Sequence, residues 1–352
     1  MNKKATVCAV VVTYNRKELL IECLEGLLKQ TRPIDAVYLI DNFSNDSTSE
    51  LLKSKNYIGE LPPKKIDKPW EKEFVYNNDE LLGIFNDGIE ENIAKIKHKI
   101  PIHYVRMNEN TGGAGGFYEG VKGAYEKGYD WLWLMDDDAE PEKYALEKLD
   151  IYFNRDGIVA LSNTVIKPNN EIALTHRGRV DFNTMFPAIQ IPISIEEYKN
   201  DEVEIDTASF VGILINRNAI EKIGFPKKEF FIHNDDIEYC LRLMQIGKLL
   251  LIPDSIIYHK EGAYIDEARI PFEKLWLKYY GKRNQIWIGR RYATNKIKFY
   301  SDVFYFTIKS IGGVLVYDNN KLKRIKFLVN QVIDGLGNNF DNLKPKKILY
   351  KK

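Results

Sequence analysis

Tyr129-Asp130-Trp131-Leu132-Trp133-Leu134-Met135-Asp136-Asp137-Asp138-Ala139 is the stretch whose reading decides the fold. Five apolar residues run straight into three consecutive carboxylates. A continuous apolar run bounded by turn signals reads as a strand buried on both faces, the kind found in parallel sheets. Open α/β sheets place their ligands at the C-terminal ends of such strands. Three adjacent acids repel one another, so something positive must offset them. The simplest candidate is a hard divalent cation held by oxygen ligands, with substrate phosphates supplying others. An acidic turn that merely caps a helix starting at Pro141 is the plainer alternative, but a cap needs one acid and not three.

Upstream, residues 5–12 are apolar and β-branched, and Thr13-Tyr14-Asn15-Arg16 forms the loop at the strand's end. Residues 17–30 place Leu19, Leu20, Cys23, Leu24, Leu27 and Leu28 at a helical period. Residues 36–40 form a second strand that ends in Asp41-Asn42. Strand, helix, strand with two polar loops on one edge begins a nucleotide-binding α/β sheet. Asp41 at a strand end suits hydrogen bonds from a base or ribose; capping the next helix is its alternative role.

Residues 53–100 are the least regular. Pro62-Pro63, a lysine-rich patch and Trp70 predict an irregular loop. Leu82, Ile84, Phe85, Ile89, Ile93 and Ile96 have helical spacing, which predicts a helix over 81–100 and makes the segment an insertion. A third strand follows at 102–106. Then come Asn108-Glu109-Asn110-Thr111-Gly112-Gly113-Ala114-Gly115-Gly116-Phe117 and a helix to Lys127. Four glycines between strand and helix allow close backbone approach, with amides aimed at a phosphate. A flexible turn packed under the sheet is the alternative. A dinucleotide-binding loop is disfavoured, because the glycines follow the third strand and not the first.

Past the acidic strand the pattern predicts a helix over 141–153, a strand over 157–163, loops and a small hairpin over 164–204, and one buried strand over 206–216, then a helix to Gly224. The second acidic centre is Phe230-Phe231-Ile232-His233-Asn234-Asp235-Asp236-Ile237-Glu238-Tyr239-Cys240-Leu241-Arg242. Asp235 and Asp236 open a helix, whose positive end favours their ionised forms; Glu238 and Arg242 can pair at i, i+4. A carboxylate fixed there can take a proton from a hydroxyl. Residues 249–257 form a strand leading to Tyr258-His259. His259 lies 23 residues after Asp236, and at a strand end beside acids it is a candidate ligand, or else a histidine satisfied by hydrogen bonds.

The chain has 352 residues, 44% hydrophobic and 29% charged, as in a globular protein of one large or two ordinary domains. Its three cysteines are scattered, which argues against a disulfide framework or zinc site and for a reducing compartment. The N-terminal apolar run is too short for a signal peptide. The net charge of +1 hides an asymmetry: residues 278–352 hold 17 Lys and Arg against 4 Asp and Glu, leaving about −12 on the rest. From Pro271 onward aromatic and basic residues interleave in two to four predicted helices. That suits a membrane interface or the packing of a homo-oligomer.

Together these residues resemble the inverting family 2 glycosyltransferases of the GT-A fold. The resemblance rests on Val-Val-Thr-Tyr-Asn-Arg after the first strand, Ile-Asp-Asn after the second, Met-Asp-Asp-Asp-Ala after the fourth, and Asn-Asp-Asp-Ile-Glu-Tyr-Cys-Leu-Arg with Tyr-His downstream. The ordered set spans roughly residues 5–262 and is most similar to bacterial galactofuranosyltransferases, with rhamnosyltransferases next. The resemblance implies a Rossmann-like mixed α/β sheet over residues 1–265, with a C-terminal helical region over 266–352. It also implies site roles. Thr13, Tyr14, Arg16, Asp41, Asn42 and Asn110 would hold the nucleotide, with Gly112 and Gly113 lining the donor pocket. Asp136, Asp138 and His259 would bind Mn²⁺ or Mg²⁺; Asp136 would also belong to the donor site, and Asp137 would touch the donor sugar. Asp236 would be the general base, with Asp235 beside it.

The expected reaction moves galactofuranose from UDP-galactofuranose to a saccharide or lipid-linked acceptor in cell-surface polysaccharide synthesis, at the cytoplasmic face of the membrane. A dTDP-rhamnose donor is the alternative, as is a non-catalytic nucleotide-sugar-binding protein. No nucleic-acid partner is expected. A nucleotidyltransferase would need a basic triphosphate clamp, and the first loop offers only Arg16 and Lys17.

Overall fold

The computed structural model describes residues 4–81, 95–260 and 275–350. The chain starts with β1 (Val7–Thr13), α1 (Lys17–Leu28), β2 (Ala36–Asp41) and α2 (Thr48–Ser54). A long antiparallel hairpin follows, β3 (Trp70–Leu81) and β4 (Lys95–Arg106), then α3 (Gly112–Lys127) and β5 (Trp131–Asp136). Next are β6 (Ala139–Pro141), α4 (Ala145–Asp150), β7 (Ile158–Ile166), β8 (Arg177–Val180), β9 (Gln190–Pro192), β10 (Val203–Ile205), β11 (Thr207–Ala208) and β12 (Ile213–Asn216). The body closes with α5 (Arg217–Ile223), α6 (Asp235–Leu243) and β13 (Lys248–His259). Four helices end the chain: α7 (Trp276–Tyr292), α8 (Lys296–Tyr317), α9 (Lys321–Gly337) and α10 (Lys344–Tyr350).

Among the described residues ten strands form one mixed sheet, in the order β10-β13-β7-β12-β5-β1-β2-β4-β3, with β6 added to β13. β5, β1, β2 and β4 run parallel, and β7 and β13 are parallel to each other. β12 is antiparallel to both its neighbours and joins the two sets. The ends of β1, β2, β4, β5 and β13 therefore share one edge, which collects Thr13, Asp41, Arg106, Asp136 and His259. β8, β9 and β11 make a separate three-stranded sheet in the region predicted to hold loops and a hairpin.

Alternate residues of each central strand feed two cores. Val7, Ala9 and Val11 of β1, with Trp131, Trp133 and Met135 of β5, pack under α1 and α4. Cys8, Val10 and Val12, with Leu132 and Leu134, pack under α3 and α6. Burial on both faces is why these strands read as unbroken apolar runs. β13 carries an irregularity: Ile252 pairs with Asn163 and Ile256 with Thr164, so residues 253–255 bulge out. Asn163 pins the bulge, accepting from Trp133 Nε1 at 3.0 Å and donating to Ser255 Oγ at 2.5 Å.

Four predicted elements differ. Residues 95–100, expected in a helix, are strand, paired residue for residue with β3 from Trp70↔Arg106 to Leu81↔Lys95; Trp70 starts that hairpin rather than sitting in a loop. The expected helix over 82–94 lies outside the described residues. The glycines after Asn110 are inside α3. A Cβ at Gly116 would lie 2.5 Å from Val12 Cγ1 and one at Gly120 2.5 Å from Val10 Cγ1. Close packing of helix on sheet is therefore the use of these two, and it outweighs the roughly 1 kcal/mol helix penalty of each. The helix expected over 141–153 begins only at Ala145, because residues 139–141 pair with β13. The single strand expected over 206–216 is broken at 209–212, where Gly212 takes φ +76.

In the C-terminal region Phe230, Ile286, Trp287, Phe299 and Val303 share a core, and Tyr279, Phe327 and Leu349 form a smaller one. Among the described residues no helix is long and apolar enough to cross a membrane.

Candidate active site

The turn after β5 places its three acids differently. Asp137 points back into the protein: it accepts from Thr13 Oγ1 at 2.7 Å, from the Tyr14 amide at 3.3 Å and from Arg16 at 3.3 Å. Asp138 accepts from Arg16 at 2.9 Å and lies 3.2 Å from His259 Nε2. The β6–β13 pairing sets Ala139 opposite His259, and the Lys260 amide donates to the Asp138 carbonyl at 2.9 Å. Asp138 Oδ1 is the buried oxygen that faces His259 Nε2 at 3.2 Å. Asp136, Asp138 and His259 each offer one ligand atom, all within 4.8 Å of one another.

The electrostatics fit a cation there. Burial, then the charges of Asp138 and Asp137, push the Asp136 carboxyl up to about 7. Burial pushes Asp137 up to about 6, against the pull of Thr13 and Arg16. Burial also acts upward on Asp138, but His259 and Arg16 outweigh it and hold it below the usual range. His259 is raised, its burial outweighed by Asp138 and Asp136. One guanidinium and one imidazole thus leave the three acids under-compensated. Two carboxylates and an imidazole whose ligand atoms converge within 4.8 Å are a fitting donor set for a divalent ion. His176, which the sequence reading missed, packs its ring edge-on to His259 at 5.4 Å and shares a 2.7 Å hydrogen bond with Ser209 Oγ. Burial, then Arg177 and His259, push it down to about 3, so it stays neutral.

The residues predicted to hold the nucleotide divide into two groups. Tyr14 and Arg16 stand at the open edge, Tyr14 exposed and Arg16 partly so. Asp41 and Asn42 are buried beneath it. Asp41 accepts from Arg106 at 2.6 Å, Tyr104 at 2.8 Å and the Ser44 amide at 2.8 Å, so both its oxygens are engaged within the fold. Asn42 donates to the Gly112 carbonyl at 2.9 Å and accepts from Thr111. Asn110 accepts from the Gly112 amide at 2.8 Å. The two therefore brace the start of α3 from below. Gly112, at φ +73, has room for no side chain: a Cβ would sit 1.9 Å from the Phe231 carbonyl oxygen. Gly113 faces open space.

Asp235 and Asp236 open α6 as the sequence predicts, and Arg242 pairs with Glu238 at 2.8 Å. Asp235 is buried and pushed well above its usual range by that burial and by Asp236, with a smaller contribution from Asp136. The two acidic centres are thus close enough to feel each other. Asp236 is half-buried, and burial lifts it to about 6. Arg177 opposes that rise. Its fully buried guanidinium donates to the carbonyls of Asn163, His176, Val211 and Gly212, which also fixes the break before β12. The approach to α6 is strained. Phe231, His233 and Asn234 have φ of 66, 68 and 64, each costing on the order of 1–3 kcal/mol in a non-glycine residue. Such backbone persists only where its surroundings hold it.

Comparison with known proteins agrees with this fold. The family model described as Glycosyl transferase family 2 matches residues 8–71 and 76–224. Galactofuranosyltransferase GlfT1 of Mycolicibacterium smegmatis is 23% identical over 70% of this chain and 68% of its own length. The dTDP-rhamnosyl transferase RfbF of Shigella flexneri is 22% identical over 71% of this chain and 83% of its own. Among solved structures, GalNAc-T7 with UDP, GalNAc and Mn²⁺ superposes with a TM-score of 0.56 at 14% identity, covering 96% of this chain. The chain spans 56% of that larger protein. The shared fold is the GT-A sheet.

Proposed function

The chain belongs to glycosyl transferase family 2, and from that premise we propose that it is an inverting, divalent-metal-dependent transferase with Asp236 as its base. The reading is carried by one observation. A cation-ready group, Asp136, Asp138 and His259, lies close enough to the N-terminus of α6 for the charge of Asp136 to act on Asp235, and the next residue there, Asp236, is a partly exposed carboxylate. Asp136, Asp138 and His259 would hold the cation; the imidazole among the carboxylates favours Mn²⁺ over Mg²⁺. When bound, the cation supplies Lewis-acid neutralisation of charge on the leaving nucleoside diphosphate.

The chain's own residues do the rest. Arg16 adds positive charge beside the acids, and the open backbone at Gly113 leaves room for the donor. Asp137, locked to Thr13 and Arg16, stiffens the loop that carries its neighbours. Asp236 takes the proton from the acceptor hydroxyl, whose oxygen attacks the anomeric carbon opposite the diphosphate and inverts its configuration. UDP-galactofuranose is the proposed donor, by likeness to the M. smegmatis enzyme. A dTDP-rhamnose donor is the second reading, by likeness to the S. flexneri enzyme. The decisive test is Mn²⁺-dependent hydrolysis, with an EDTA control, of UDP-galactofuranose, UDP-galactose, UDP-glucose and dTDP-rhamnose. Turnover of UDP-galactofuranose is expected; turnover of dTDP-rhamnose alone moves the donor to the second reading. If nothing turns over and UDP gives no calorimetric binding signal with Mn²⁺, the transferase reading fails.

The acceptor is proposed to be lipid-linked, with residues 1–265 as catalytic body and 266–352 as the part that meets the membrane's inner face. On α8, Ile297, Tyr300, Phe304, Ile308 and Leu315 fall on one stripe; Ile297 is 83% and Phe304 69% exposed. α8 and α9 also carry Lys296, Lys309, Lys321, Lys323 and Lys326. Tyr300 further lines a groove of about 660 Å³ with Lys227, Arg290 and Arg291 and no acid. An apolar stripe with basic surroundings matches an anionic lipid surface. A two-fold contact through the same face would set two basic patches against each other. Phe304→Glu with Ile308→Glu is expected to reduce sedimentation with phosphatidylglycerol vesicles about tenfold or more. Unchanged vesicle binding, or wild-type dimers that ignore vesicles, would assign the stripe to self-association.

A further inference from the structure

We infer that Arg283 and Asn284 of α7 are positioning residues for the base, so that the C-terminal region completes the catalytic site as well as flanking it. The inference rests on Asp236 being the base. Both side chains are fully buried, and besides each other and Asn342 their hydrogen bonds go to backbone carbonyls of residues 229–233. They bind the backbone just before α6. Asn284 Nδ2 donates to three carbonyls of the strained turn, Phe230 and Ile232 at 3.1 Å and His233 at 2.8 Å. Arg283 donates to the carbonyls of Phe230 at 3.0 Å and Glu229 at 3.2 Å, and its Nε fixes Asn284 Oδ1 at 3.0 Å.

Three further contacts close the clamp. Asn234 Nδ2 donates to the Gly281 carbonyl at 2.9 Å, one turn earlier on α7. The Phe231 ring lies 4.8 Å from that of Tyr280. From the opposite side, the Ala114 amide donates to the Phe231 carbonyl at 3.1 Å. The turn is therefore held between the start of α3, which borders the donor pocket, and α7. Its left-handed residues need that support, because an unheld chain relaxes from such φ values. Relaxation would move the first residues of α6, Asp235 and Asp236, while leaving the acids after β5 in place. A misplacement of about 1 Å in a reacting group can cost on the order of 10²-fold in rate.

The test compares four variants in Mn²⁺-dependent donor hydrolysis and in UDP binding by calorimetry, below each variant's Tm. Asn284→Ala removes the three donations. Arg283→Lys keeps charge and loses the fork, and serves if Asn284→Ala does not fold. Asp334→Asn is the stability control: Asp334 is buried where α9 meets α7 and α10, bound to Tyr279, Asn339 and Lys344, and does not touch the turn. Asp236→Asn is the benchmark for the base. The expected result is a kcat lowered about 10–10²-fold in Asn284→Ala, with KM for the donor and UDP affinity held within about twofold. Asp334→Asn should lower Tm and keep kcat. A wild-type kcat in both clamp variants overturns the positioning role, as does an equal loss in Asp334→Asn. Full turnover in Asp236→Asn instead removes the base assignment, and the clamp's catalytic role with it.

Discussion

Asp236→Asn is expected to lower sugar transfer by about 10²–10⁴-fold, the usual contribution of a positioned base, while Mn²⁺-dependent UDP binding stays near wild type. Asparagine keeps the carbonyl oxygen that accepts from the Ile237 amide at 2.7 Å, so the start of α6 is preserved and only the proton acceptor is lost. Two pH effects accompany it. Burial lifts the carboxyl to about 6, so wild-type turnover should fall as pH drops through about 6, where the base becomes protonated. Stability runs the other way. A carboxyl whose folded pKa exceeds its unfolded one supports the fold fully below the unfolded value, near 3.8, and loses that support as pH rises through about 6. At pH 8 the wild type carries a charge that its half-buried site disfavours, and the asparagine variant does not. The variant should melt at a higher temperature at pH 8, with the gap closing toward pH 4. Near-normal transfer, or a lower Tm at pH 8, would remove Asp236 from the role.

Asp138→Asn is expected to weaken Mn²⁺ binding on the order of 10²-fold, since a divalent site depends on the number of its charged ligands. Wild-type protein at a Mn²⁺ concentration about 100 times its Kd should gain roughly 2.7 kcal/mol of stability, and the variant should lose most of that gain. The gain should also grow with pH. Asp136 sits at about 7 without the ion, so below that pH the cation must displace a proton to bind. Differential scanning fluorimetry at pH 5.5 and 8, with and without Mn²⁺, reads both effects. An equal Mn²⁺ shift in wild type and variant would contradict the ligand assignment.

The centre of this fold was legible because its strands are buried on both faces. β1 and β5 carry apolar residues at every position up to Thr13 and Asp136, which no solvent-facing element can do, and three acids at the end of β5 leave little but a charged site to explain them. Of the β3–β4 hairpin only residues 102–106 read as strand, although a period of two extends further back: Ile96, His98, Ile100, Ile102 and Tyr104 alternate with polar or small partners. A helical spacing over 82–96 competes with that period in the sequence, and it is the pairing with β3 that decides. The glycines of α3 misled for a different reason. Isolated, four glycines disfavour a helix; Gly116 against Val12, with Gly120 against Val10, is what lets the helix lie close to the sheet. Asp41 is at the predicted strand end, yet Arg106 and Tyr104 engage it from within. Arg177, Arg283 and Asn284 gave no signal, because each binds backbone carbonyls, which every residue type offers alike.

The short pairing of β6 with β13 also constrains how this chain can change in length. His259 faces Asp138 because it stands opposite Ala139, with Tyr258 opposite Glu140 and Ile257 opposite Pro141. Side chains alternate along a strand, so one residue gained or lost between the Ser255 anchor and His259 would turn the imidazole to the far face. The bulge at 253–255, which ends on Ser255, is where β13 has already taken up extra residues, outside the stretch paired with β6. Insertions and deletions are therefore excluded from a five-residue span that looks, in sequence, like any other end of a strand.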